Sequence, residues 1–144
     1  AIMPLSFYED LTAFKLFLLD GGLLGCLARV PASQMLNGDN VFREWKGAFT
    51  EQFVLQQLLY KEIPIYYWSN NNSECEIDFL IQTEERIIPV EVKAEENVRS
   101  KSLSHFVRNL YPGLKGLRTS LRPYINQEWM ENIPLYAAGE ADNL

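Results

Sequence analysis

Between Glu74 and Lys93 the chain reads ECEIDFLIQTEERIIPVEVK, and three of its side chains are suited to phosphate chemistry: Asp78, Glu91 and Lys93. Two-residue alternation predicts two strands here. In the first, Ile77, Phe79 and Ile81 share one face and Glu76, Asp78 and Leu80 the other. In the second, Ile88, Val90 and Val92 are apolar, and Pro89, Glu91 and Lys93 lie opposite. Thr83 to Arg86 then form a short hairpin loop. Pairing Gln82 with Ile87 sets Asp78 across from Glu91 and Glu76 across from Lys93. Facing carboxylates repel unless something positive lies between them. Lys93 is a start, and a divalent cation, Mg²⁺ or Mn²⁺, would complete the neutralisation. Such ions prefer hard oxygen donors, lower the pKa of bound water and offset charge on a scissile phosphate.

A third acid comes from the strongest helical stretch, Ala48 to Tyr60. At roughly 100° per residue, Ala48, Val54, Leu55, Leu58 and Leu59 share an arc with Glu51 at its centre. Phe49, Phe53 and Tyr60 form a second apolar stripe. A carboxylate on an apolar stripe is costly to bury without a partner. Two readings stay open for Glu51. It joins the hairpin acids, or it sits near the helix start, gains from the macrodipole and reaches out to water.

Other elements must hold these residues in place. Phe14 to Leu19, FKLFLL, reads as a short buried strand, and Asp20 can cap a helix from Gly22 to Arg29. Met35 to Asn40 is loop-like, and Asn70 to Ser73 is a polar turn. Pro64 to Ser69 is a strand whose Tyr66, Tyr67 and Trp68 read as core rather than as a base-stacking platform. Ser100 to Tyr111 is helical through Leu103, Phe106, Val107 and Leu110, and Pro112-Gly113 ends it. Gly116 to Ser120 and Ile133 to Ala137 are later strands around an irregular segment. His105, the single histidine, reads as an ordinary partly buried helix residue rather than a catalyst.

With 47% apolar and 12% aromatic residues in a chain of 144, a single domain with a real core is expected. No apolar run approaches the ~20 residues of a membrane span, and no signal peptide opens the chain. Cys26 and Cys75 lack metal-ligand spacing and read as reduced thiols of a cytoplasmic protein. No phosphate-binding loop of the Gly-x-x-x-x-Gly-Lys-Ser/Thr type occurs, so no ATP site of that kind is expected. The net charge of −6 argues against a broad nucleic-acid face, yet residues 93–122 carry +5 against −11 elsewhere. Arg99, Lys101 and Arg108 are therefore candidate phosphate contacts; a solvated helix and loop is the alternative. The chain opens in mid-pattern without methionine, as an excised part of a longer protein would.

The acid of the first strand followed by Glu91-x-Lys93 resembles the active-site signature of the PD-(D/E)XK nuclease superfamily. The runs FKLFLLDGGLLGCL, GAFTEQFVLQQLLY, YYWSNNNSECEIDFLI and IIPVEVKAEENVRSKSLSHF resemble, in order and spacing, an uncharacterised domain. It lies C-terminal to the ATPase module of many prokaryotic AAA-type ATPases, and the resemblance runs from about Phe14 to Tyr136. Gly21 stands where that family often has Thr, which leaves the acid pattern untouched. The resemblance implies an α/β (α+β) fold with a restriction-endonuclease-like core, a mixed central sheet flanked by helices. It implies Asp78, Glu91 and Lys93 as catalytic residues, and Glu51, Asp78 and Glu91 as ligands of Mg²⁺ or Mn²⁺. The layout it implies is a linking segment over 1–45, the nuclease-like domain over 46–138 and a tail over 139–144. Its partners would be an ATPase module earlier in the same chain and DNA, with oligomerisation permitted and no membrane. Two functions follow: a Mg²⁺-dependent DNA phosphodiesterase, or a catalytically silent recognition, regulatory or oligomerisation module.

Overall fold

Short apolar segments between Ile65 and Pro134 assemble into one sheet. The computed structural model describes residues 2–31, 33, 40–70, 74–95 and 99–143. The strands are β1 (Ile65–Ser69), β2 (Glu76–Gln82), β3 (Ile87–Val92), β4 (Gly116–Ser120), β5 (Ile125–Asn126) and β6 (Met130–Pro134), in the order β1-β2-β3-β4-β6-β5. β1, β2 and β3 pair antiparallel, β3, β4 and β6 run parallel, and β5 returns antiparallel on β6. The helices are α1 (Gly21–Leu27), α2 (Asn40–Leu59) and α3 (Lys101–His105), the last continuing into a π-helical turn over Phe106–Leu110. The fold is thus mixed α+β, a six-stranded sheet flanked by helices.

Two apolar layers fix which side chain faces which helix. Val54 and Leu58 of α2 pack on Phe79, Ile81, Ile88, Val90, Val92 and Leu117. Leu103, Phe106 and Val107 of α3 and its extension pack on Ile77, Leu80 and Ile87. The expected face of Ile77, Phe79 and Ile81 is therefore broken, with Ile77 turned to α3. The cause is a bulge. Tyr66 pairs with Leu80 but Trp68 pairs with Ile77, so Asp78 and Phe79 together oppose Tyr67. On the other side of β2 the expected register holds, with Gln82 opposite Ile87, and pairing runs as far as Phe79 and Val90.

Elsewhere, local signals and tertiary structure agree unevenly. Asp20 caps α1 as expected, its Oδ1 accepting the Leu23 amide at 2.7 Å. α2 begins already at Asn40, and it buries Gln52 while leaving Leu59 exposed. The run Phe14–Leu19 is not a buried strand, since Phe14, Leu16 and Leu19 are at least 76% exposed. The last core strand ends at Pro134, which has no amide to continue a ladder, and Leu135–Glu140 coil as a 3₁₀ turn. Residues 35–39 and 71–73, expected as loop and turn, lie outside the described residues.

α3 can approach β4 because Gly116 has no side chain. A Cβ there would meet Leu103 Cγ at 2.9 Å, whereas one on Gly47 would meet nothing within 4 Å. Gly116→Ala should lower stability by about 1–3 kcal/mol through overpacking, and Gly47→Ala should raise it by about 0.5–1 kcal/mol through helix propensity. Urea unfolding of the two variants beside the parent checks both signs.

Candidate active site

The bulge turns Asp78 toward α2, where β2 and β3 begin to part. Its Oδ2 accepts the Val92 amide at 2.8 Å, beyond the last strand pair. Glu51 of α2, Glu76 and Asp78 share one ammonium, that of Lys15. Its Nζ lies 3.7 Å from Glu51 and 3.8 Å from Asp78, and it is directly ion-paired with Glu76. The same Nζ sits 5.5 Å from the centre of the Tyr67 ring. Lys15 is placed by an extended stretch lying over α2. Buried Gln52 grips Leu18 from both sides, accepting its amide at 2.9 Å and donating to its carbonyl at 2.8 Å. The ring of Phe17 packs 5.8 Å from that of Phe79. A cavity of about 210 Å³ beside this contact is lined by Lys15, Phe17, Leu24, Glu51 and Gln52 among others.

Glu91 faces the other way. Parallel register sets Val90 beside Leu117 and Glu91 beside Arg118. Val90 and Leu117 belong to the α2 layer, so Glu91 and Arg118 project toward α3. The expected apposition of Asp78 and Glu91 on one face is thus corrected, because the bulge rotates Asp78 and leaves Glu91 where alternation puts it. Glu91 is 3% exposed; its Oε1 lies 3.0 Å from Lys93 Nζ, and its Oε2 has no hydrogen-bond partner among the described residues. Glu76 pairs with Lys15 rather than with Lys93. Lys93 nonetheless belongs to both sides. Sitting just past the end of β3, it also favours the charged forms of Glu51 and Asp78 on the α2 side.

Burial dominates the titration of this cluster. It pushes Asp78 up to about 6; the Val92 amide pulls against it, the charge of Glu51 adds to it, and Lys15 and Lys93 oppose it. Glu51 is raised for the same first reason. Burial also pulls Lys15 down, but Glu76, Glu51 and Asp78 together outweigh it and hold the ammonium above its usual range. Three carboxylates around one ammonium leave the cluster short of positive charge. Among the described residues no group of three His, Cys, Asp or Glu side chains is disposed to hold a metal ion. The donor type still suits Mg²⁺, and the position between the acids is held by Lys15.

The basic segment divides by role. Arg118 is buried and structural. Its Nε donates to Asn132 Oδ1 at 2.8 Å and its Nη1 to Ser100 Oγ at 3.3 Å, while Asn132 donates to the carbonyls of Arg122 and Pro123. Lys115 is paired with Glu131. Arg99, Lys101 and Arg108 are exposed, and Arg99 and Lys101 flank the Ser100 that touches Arg118 beside Glu91. His105 is exposed on α3. Lys15 and Gln52 are the members that sequence reasoning passed over, and strand register alone sets Glu76 opposite Lys93 rather than with Lys15; a lone cation inside the apolar run FKLFLL is the signal that points to the first.

Residues 46–136, well over half of the chain, match the family model described as a domain of unknown function, DUF4143. The chain belongs to the DUF4143 family. The matched part of this DUF4143 chain carries Glu51, Glu76, Asp78, Glu91 and Lys93, while Lys15 precedes it. No curated protein and no solved structure matches the chain. No helix among its described residues is long and apolar enough to cross a membrane.

The raised Asp78 pKa has a definite consequence for stability. Between its unfolded value of 3.8 and its folded value of about 6, the native DUF4143 domain holds a proton that the unfolded chain has released. Stability therefore falls as pH rises through that window. Asp78→Asn removes this titration, so its stability relative to the parent should improve by roughly 2–3 kcal/mol between pH ~4 and pH ~7. Urea unfolding of both proteins at the two pH values measures it.

Proposed function

We propose that this DUF4143 domain is a divalent-cation-dependent phosphodiesterase on a PD-(D/E)XK-like core. In this reading it acts on DNA in the cytoplasm, as the nuclease module of a longer AAA-type ATPase chain. The observation that carries the reading is the position of Lys93, ion-paired to Glu91 at 3.0 Å and electrostatically coupled to both Glu51 and Asp78. A bound Mg²⁺ or Mn²⁺ would activate a water and offset phosphate charge. Glu51, Glu76 and Asp78 supply hard oxygen donors on the α2 side, and their surplus negative charge favours a cation. At neutral pH Asp78, with its pKa of about 6, is mostly ionised. Glu91 fixes the Lys93 ammonium, which is placed to hold a phosphate oxygen or to orient the attacking water. Arg99 and Lys101 at the start of α3, and Arg108 further along, contact the phosphate backbone.

A second reading is a catalytically silent regulatory or recognition module, and one observation favours it: Glu91 lies on the opposite face from the three acids that share Lys15. Fold by itself does not carry activity. Cleavage of supercoiled, linear and single-stranded DNA in Mg²⁺ decides between them. Asp78→Ala and Lys93→Ala should each lower cleavage by about 10²-fold or more. Equal cleavage by parent and variants, or none on any substrate, leaves the silent module.

A further inference from the structure

We infer that residues 13–19 form a strap that latches the acidic cluster shut, with Lys15 and a divalent cation as mutually exclusive occupants. This rests on the cation-binding reading of Glu51, Glu76 and Asp78. The ammonium of Lys15 is within 4 Å of all three carboxylates, so the three acids are committed to it together. A second cation among the same acids would lie within a few ångströms of that ammonium, where two positive charges in a half-buried setting repel strongly. Entry of the one requires departure of the other.

The strap is built to part at this point. Among the described residues, and apart from the contacts of the Lys15 ammonium, its hydrogen bonds to the domain are those of Leu18 with Gln52 and of the Leu19 carbonyl with Gln56, both on the C-terminal side of Lys15. Phe17 adds one ring contact, against Phe79. Phe14, Leu16 and Leu19 face solvent and hold nothing down. Lys15 therefore lies between two anchors, Leu18 on Gln52 and the buried Leu5, whose amide donates to Gln82 Oε1 at 2.7 Å, and the exposed stretch between Leu5 and Lys15 gives the ammonium room to leave. A segment with so few buried contacts opens locally at far lower cost than the sheet beneath it. The latch also comes from outside the stretch that matches the family model, residues 46–136. The part of the chain that carries the acids is thus closed by a separate segment.

Two measurements on the full 144-residue chain test this. The rate at which an N-hydroxysuccinimide ester acylates the Lys15 amine is followed by mass spectrometry in the parent with and without millimolar Mn²⁺ at matched ionic strength, with exposed Lys101 as the internal reference. Acylation of Lys15 relative to Lys101 should accelerate with Mn²⁺; an unchanged ratio overturns the latch, and because this arm uses the parent alone it decides the matter whatever the variants do. Electron paramagnetic resonance of free Mn²⁺ gives the affinities. Lys15→Met should bind about tenfold tighter than the parent, within the 5–150-fold typical of coupled binders, and Lys15→Arg should bind like the parent. Equal affinity of a folded Lys15→Met chain and the parent overturns the exclusion. Neither measurement reads DNA cleavage, so an absence of phosphodiesterase activity leaves this outcome intact, and a strap that stays closed leaves the cleavage result intact.

Discussion

Carboxylates that are mostly removed from water need positive charge nearby, and the α2 face of this sheet supplies it chiefly through one ammonium divided among three acids, with Lys93 adding to it from the strand end. Glu51, Glu76 and Asp78 come from a helix and a bulged strand, and Lys15 comes from a segment far earlier in the chain. The supply is insufficient. Burial wins over Lys15 at both Glu51 and Asp78, whose pKa values rise in spite of it. A structural cluster evolved for stability alone has little reason to keep surplus carboxylate in a half-buried place, since apolar replacement is often neutral or better. The surplus is what makes the cluster a functional site in our reading.

The bulge in β2 is the geometric cause of that arrangement. One extra residue opposite Tyr67 reverses the facing of everything before it, sends Ile77 to the α3 layer and brings Asp78 round to α2. Bulges recur beside active sites because they re-aim a side chain without dismantling the sheet. Here the re-aimed carboxylate caps the Val92 amide where β2 and β3 separate. The result is a site split across the sheet, with Asp78 on one face, Glu91 on the other and Lys93 at the strand end acting on both. It lies at the C-terminal ends of parallel strands β3 and β4, the edge where open α/β sheets commonly place ligands. On the α3 side, Asn132 and Ser100 immobilise Arg118, which takes that guanidinium out of the pool available to a nucleic acid.

Much of the framework was readable from local chemistry. The Asp20 cap, the Gln82–Ile87 register and strand Gly116–Ser120 are set by interactions a few residues apart or by simple alternation. The edges of helices were less readable, because a helix continues through residues of good propensity without needing an apolar stripe, and α2 starts already at Asn40, before the apolar periodicity that begins at Ala48. The run FKLFLL misled for a different reason. Its composition matches a buried strand, but it finds no ladder, and only Lys15, Phe17 and Leu18 turn inward onto α2 and β2.

What the residues alone determined is the chemical inventory: acids at 51, 76, 78 and 91, an amine at 93, and the strands and helix that carry them. Those follow from side-chain type and from periods of two and 3.6 residues. Only the tertiary structure decided which acids meet. Alternation is counted along one strand and cannot register an extra residue whose effect appears in pairing with a neighbour. No spacing rule links Lys15 to acids 36 to 63 residues away, because their contact is made by chain folding and by the demand of buried charge for a counterion.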